Sequence, residues 1–140
     1  MEKTKIILDT NILISALGWQ GNPNKILNLV IERKLEIIIS DDQFAELSQT
    51  LDYPRLEFTE EQKDRIKSLV LEIGIFVKPL EKINLIKSDP DDNMHLEAAV
   101  VGNAKYIVTG DQDLLSIKEF RGIKIVTAKE FLEIFKDYSI

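Results

Sequence analysis

Lys5-Ile6-Ile7-Leu8-Asp9-Thr10-Asn11 is a short apolar run that stops on a carboxylate. A run this short and this rich in branched residues predicts a buried strand over Lys5–Leu8, ending at Asp9. A second stretch has the same form: Lys105-Tyr106-Ile107-Val108 predicts a strand that runs through Thr109 and Gly110 into Asp111. Between and around them, strand-like and helix-like segments alternate. Asn11–Leu17 predicts a first helix, broken at Gly18 and Gly21. Asn22-Pro23 opens a second, running to about Lys34, because proline at the first helical position has no N–H to leave unpaired.

Further along the chain, Glu36–Ile39 predicts another strand, and Ser40 caps a helix that runs to Leu51 and is closed by Pro54. Thr59 with Gln62 makes a capping box for a helix carrying Ile66, Leu69, Val70 and Ile73 at helical spacing. Ile75–Val77 and Ile123–Val126 complete five expected strands. Asp89-Pro90 is expected to start a helix that continues through Val101, and Thr127 with Glu130 to cap the last one. Apolar strands alternating with helices imply a parallel sheet covered on both faces, an α/β/α sandwich of three layers. No linker or repeat divides the chain, so residues 1–140 are expected to form one domain.

In a doubly wound sheet, ligands bind outside the carboxyl ends of the strands, where the strand order reverses. That rule gives the acids a location. Asp9 and Asp111 stand at strand ends, although aspartate is also a common turn and capping residue. In Asp89-Pro90-Asp91-Asp92-Asn93, the first three residues suit a helix start. Asp92 differs, because Leu96 and Ala99 follow it at the spacing of a buried face, so its carboxylate points inward and needs a partner. Glu46 lies near the edge of a stripe made by Phe44, Leu47 and Leu51. His95, one turn after Asp92, reads as a structural or solvated histidine.

Composition narrows the chemistry. Cysteine is absent and His95 is the sole histidine, which removes thiolate sites, cysteine nucleophiles and an imidazole zinc cluster. Two carboxylates about 4 Å apart repel by roughly 1 kcal/mol in water and about 4 kcal/mol at an effective dielectric near 20. A cation would offset that repulsion, and an all-oxygen donor set suits Mg2+ or Mn2+. The net charge of −6 argues against tight, non-catalytic binding of long duplexes, but not against an acidic site that holds cations. Charged Lys3 and Lys5 lead straight into the first strand, and no apolar stretch reaches the roughly 20 residues of a membrane helix. The chain is therefore read as cytoplasmic, with no membrane partner.

Taken in order, four segments resemble the signature of the PIN-domain family: Ile6-Ile7-Leu8-Asp9-Thr10-Asn11, Phe44-Ala45-Glu46-Leu47, Asp89-Pro90-Asp91-Asp92-Asn93 leading into Leu96-Glu97-Ala98-Ala99, and Ile107-Val108-Thr109-Gly110-Asp111-Gln112-Asp113. The resemblance implies a five-stranded parallel sheet in the order 3-2-1-4-5. It also implies RNA cleavage with one or two Mg2+ or Mn2+ ions. The family's acids fall on Asp9, Glu46, Asp92 and Asp111, as catalytic and metal-binding residues. Asn11, Thr109 and Asp113 match accessory positions that orient the acids or a water. The compact length resembles the VapC-like branch, which implies a toxin role, a small antitoxin protein as partner and a possible homodimer; Trp19, beyond the first helix, could serve such an interface.

Other readings fit less well. A non-catalytic PIN-like module that binds RNA or protein would share the fold. A haloacid-dehalogenase-type phosphatase needs a second aspartate where Asn11 stands, and a receiver needs one after Val77, where Lys78-Pro79 follows. No glycine-rich phosphate loop is present, and Asp89–Asn93 lacks the glycine and the alternation of a calcium loop.

Overall fold

The structure, a computed structural model, describes residues 3–138. Its elements are β1 (Thr4–Leu8), α1 (Thr10–Gly18), α2 (Asn22–Ile31), β2 (Leu35–Ser40), α3 (Asp41–Leu51), α4 (Glu60–Ile73), β3 (Gly74–Val77), α5 (Asn93–Gly102), β4 (Tyr106–Val108), α6 (Gln112–Leu115), β5 (Glu119–Phe120), β6 (Ile123–Val126) and α7 (Ala128–Tyr138). The sheet order is β3-β2-β1-β4-β6-β5, and all pairs are parallel except the last. Five parallel strands thus take the expected order, with β1 beside β4.

The sixth strand departs from the expectation of five. Glu119 and Phe120 fold back antiparallel on Lys124 and Ile123. The turn residues Arg121 and Gly122 both have positive φ, +51° and +83°. Two left-handed residues between two strands make a tight hairpin whose twist matches the sheet. Among the described residues, no helix is long and apolar enough to cross a membrane.

Strand alternation divides the core into two. Ile6, Leu8, Ile37, Ile39 and Val108 face α1, α2, α3, α4 and α7. Ile7, Ile38 and Ile107 face α5, α6 and the loop residues Ile83 and Ile86. This is the expected three-layer arrangement, and its inner strands are apolar on both faces for that reason. On the second face α5 sits close to β2: a Cβ at Gly102 would stand 2.5 Å from Ile38 Cγ2.

Several caps follow the residue pattern. Ser40 Oγ accepts from Gln43 N at 3.2 Å, and Gln43 Oε1 accepts in turn from Ser40 N at 2.7 Å. Thr59 with Gln62 and Thr127 with Glu130 make the other two capping boxes. The start of α5 differs from expectation. Pro90–Asp92 forms one 3-10 turn, Asp89 makes no side-chain cap, and the α-helix begins at Asn93. Asn93 is the cause. Its buried amide donates to Pro90 O at 3.0 Å and exchanges two 2.8 Å bonds with the backbone of Ile86, tying the preceding loop to the helix start.

Candidate active site

Asp9 and Asp111 follow β1 and β4, which are neighbours in the sheet, at the carboxyl ends of their strands. Each also caps the helix that follows. Asp9 Oδ1 accepts from Ile12 N at 2.9 Å, and Asp111 Oδ2 accepts from Leu114 N at 3.1 Å. Thr109, fully buried, joins the two: its hydroxyl donates to Asp9 Oδ2 in a short hydrogen bond and accepts from Asp111 N at 3.0 Å. Capping and convergence at the strand ends are therefore compatible here. Burial raises the Asp9 pKa, the Thr109 and Ile12 bonds oppose that, and the charge of Asp111 adds to it.

Asp92 approaches from the α5 layer, at the start of that helix. It caps nothing, and its buried Oδ2 has no hydrogen-bond donor. Burial, then the charges of Asp89 and Asp111, push its pKa up to about 7, and its carboxyl lies in hydrogen-bonding range of the Asp111 carboxyl. Two ionised carboxylates can only accept, so this pair satisfies neither oxygen unless a proton or a cation stands between them.

Glu46 reaches the site from α3. Thr10, buried beside Asp9, donates its hydroxyl to Glu46 Oε2 at 2.5 Å. His95 is fully buried rather than solvated, and Gln43 Nε2 lies 2.7 Å from its Nδ1. Burial brings the His95 pKa down to about 4, against the opposing charges of Glu46, Asp111 and Asp89, so the ring is neutral at pH 7.

The accessory positions divide. Thr109 is the hinge of the strand-end pair. Asn11 is exposed, and its side chain makes no hydrogen bond to another described residue. Asp113 is exposed and accepts from Ser88 Oγ at 2.7 Å, which ties it to the loop before Asp89 rather than to Asp9, Asp92 or Asp111. The sequence pattern does not single out Thr10, Gln43, Asn93 or Glu97 as site residues. Glu97 is buried and accepts from Ile83 N at 2.9 Å, anchoring the same loop as Asn93. One signal for them was present: both are polar residues set within the apolar stripe of α5.

The donors suit a hard divalent cation in kind, since all are carboxylate oxygens and one of them is buried without a partner. As the side chains lie, no three His, Asp or Glu groups among the described residues stand together around a single point. The charges of Asp111 and Asp9 both bear on Asp92 and help to raise its pKa. A groove of about 360 Å³ runs from Glu46 along Ala45, Gln49 and Met94 to Lys82 and Asn84.

Comparison with known proteins bears on the fold and the family. The chain is 30% identical over 148 aligned positions to uncharacterized protein MJ1680 of Methanocaldococcus jannaschii, covering 97% of this chain and 94% of that one. Its fold is similar to the structure of VapBC2 from Rickettsia felis bound to a DNA fragment from their promoter (TM-score 0.60, 18% identity, 87% of this chain and 97% of that one). It is also similar to PAE2754 from Pyrobaculum aerophilum (TM-score 0.62, 15% identity, 96% and 90%). At those identities the two structures speak to the fold alone. The family profile described as PIN domain matches residues 5–113, from the first strand past Asp111. With the strand order, the paired acids and this match in place, the chain belongs to the PIN domain family.

Proposed function

We propose that the chain is an endoribonuclease that hydrolyses RNA phosphodiester bonds with Mg2+ or Mn2+, one or two ions, held by Asp9, Asp92, Asp111 and Glu46. The observation that carries this reading is Asp92 Oδ2, buried beside another carboxylate with no donor of its own. Such an atom is costly to bury unless a proton or a cation meets it. Family membership supports the nuclease class.

When bound, the cation would polarise a phosphoryl oxygen, lower the pKa of water and stabilise the leaving oxygen. The chain's own residues supply the rest. Thr109 fixes Asp9 and Asp111 relative to one another at the strand ends. Thr10 occupies Glu46 Oε2, which leaves Oε1 either to complete the cation's shell or to take a proton from the attacking water. The O–P bond forms from that water, and the opposite P–O bond breaks with its electron pair on the leaving oxygen. Lys82, which lines the same groove as Glu46, would meet a substrate phosphate.

The same reading makes the chain the toxin of a toxin–antitoxin pair, with a small antitoxin protein as partner and a homodimer as the expected assembly. Size-exclusion chromatography with light scattering checks the assembly.

The deciding experiment incubates wild type and Asp92→Asn with a panel of single-stranded and structured RNAs, and with DNA of matching sequence, in Mg2+, Mn2+ or chelator. Wild type should cut RNA only with metal, and Asp92→Asn should be inactive while keeping its circular dichroism. Undiminished metal-dependent cleavage by Asp92→Asn would sink the assignment. Absence of cleavage together with no Mn2+ uptake in calorimetry would leave a non-catalytic RNA- or protein-binding module.

A further inference from the structure

Gln43 joins two functions in one side chain. Its Oε1 faces Ser40 N at 2.7 Å, and a backbone N–H can only donate. The amide oxygen is therefore committed to the cap of α3, and the amide nitrogen is the atom 2.7 Å from His95 Nδ1. Nδ1 must then accept, so the ring proton of this buried imidazole resides on Nε2. The capping box of one helix sets the tautomer of a histidine on another.

The placement of the pair adds a second observation. Gln43 lies three residues before Glu46 on α3, and His95 three residues after Asp92 on α5, so each is one turn from an acid on its own helix. The bond between them is a buried side-chain link between those helices, which otherwise belong to opposite layers of the sandwich.

We propose that Gln43 and His95 form a positioning bridge that sets the separation of Glu46 and Asp92 and presents His95 as a fixed Nε2–H donor. This inference rests on the reading of the acids as a cation site. Neither residue touches the reacting atoms; both act by holding the acids in register. Partners that orient metal-site groups in this way typically change metal affinity or activity by about 10- to 100-fold when removed.

Because His95 is the sole histidine, its imidazole nitrogens give a single pair of 15N signals. At pH 7 without metal, wild type should show a protonated Nε2 and a bare Nδ1. Gln43→Glu keeps the acceptor for Ser40 N but puts a second acceptor against Nδ1, so its spectrum should show Nδ1 protonated. Mn2+ affinity, read by calorimetry, should fall at least about 10-fold in Gln43→Glu and in His95→Phe. His95→Asn, whose Oδ1 takes the place of Nδ1, should recover most of the loss seen in His95→Phe; thermal melts separate these effects from unfolding.

A wild-type Nδ1 that carries the proton overturns the bridge. So does Mn2+ affinity that is indifferent to Gln43→Glu, or a His95→Asn protein no better than His95→Phe. A wild-type chain that takes up no Mn2+ overturns both this inference and the cation reading on which it rests, whereas the other outcomes leave the cation reading standing.

Discussion

Asp9 and Asp111, at the strand ends, differ from Asp92, at the start of α5, in what their oxygens already do. Asp9 accepts from Ile12 N and Thr109, and Asp111 accepts from Leu114 N, so both belong to the local structure whether or not anything binds. Asp92 accepts from nothing at Oδ2 and starts its helix without capping it. The strand-end acids are held by their own backbone neighbourhood; the helix acid is held only by the packing of α5 on the sheet. Asp92 is accordingly the cleaner probe of function, because Asp92→Asn removes no helix cap and no hydrogen bond to the backbone.

The largest effect expected from this contrast is on activity. Asp9→Asn and Asp92→Asn should both lose cleavage, by about 100-fold or more if each stabilises charge in the transition state. The contrast breaks if Asp92→Asn keeps its rate while Asp9→Asn does not. That result would leave the metal, if any, with the strand-end acids alone.

Stability should separate the two regions in the opposite sense. Asp9→Ala removes a helix cap, worth about 1 kcal/mol, and leaves the buried Thr109 hydroxyl without its acceptor, at a further cost of about 1–3 kcal/mol. Relief of a buried carboxylate offsets part of this, for a net loss of about 2 kcal/mol. Asp92→Asn should lose nothing. Urea unfolding at pH 7 in chelator measures both, and equal losses would show that Asp92 has a structural partner after all.

How legible these regions were in the sequence follows the same division. Strand-end acids can be read from a chain because their context is local: an apolar run, then a carboxylate, then a helix. The order of the parallel strands came from resemblance and was matched by the structure. The inward placement of Asp92 followed from spacing to Leu96 and Ala99. What was not legible depends on one element meeting another. Gln43 carries no signal of its own in the sequence, and His95 reads as an isolated histidine, until α3 and α5 are brought together. Asn93 looked like the end of an acidic motif, yet it shortens the expected helix by drawing Pro90 O and the Ile86 backbone to itself. The β5 hairpin rests on two left-handed residues, of which only Gly122 announces itself.

A smaller effect, in pH dependence, sharpens the comparison. The folded pKa of Asp92, about 7, lies above its ordinary 3.8, so the folded protein holds a proton that the unfolded chain releases. The stability contributed by that proton is full below about pH 4 and is lost as pH rises through 7. A shift of three units corresponds to about 4 kcal/mol, which half-exposure and solvent screening reduce to about 1–2 kcal/mol. His95 works in the other direction, since its lowered pKa makes the fold gain stability between about pH 4 and 6.5. The wild-type profile alone therefore blends two opposing slopes. The difference between Asp92→Asn and wild type isolates one of them: near zero at pH 4, it should rise to about 1–2 kcal/mol in favour of the variant at pH 8. A flat difference would mean that Asp92 titrates like an exposed acid.

The smallest effects should come from Asn11 and Asp113, which share the strand-end motifs with Asp9 and Asp111 but not their contacts. Asn11 is exposed one residue past Thr10, with a side chain that bonds no described group. Asp113 is exposed and bonded to Ser88, so its removal frees one surface hydroxyl. Surface changes of this kind usually stay within about 0.5 kcal/mol. Asn11→Ala and Asp113→Asn should therefore keep wild-type melting temperatures and cleavage rates within about threefold, measured beside Asp92→Asn on the same RNA. A large loss of rate in either variant, with stability intact, would move that residue from the rim of the site into its interior.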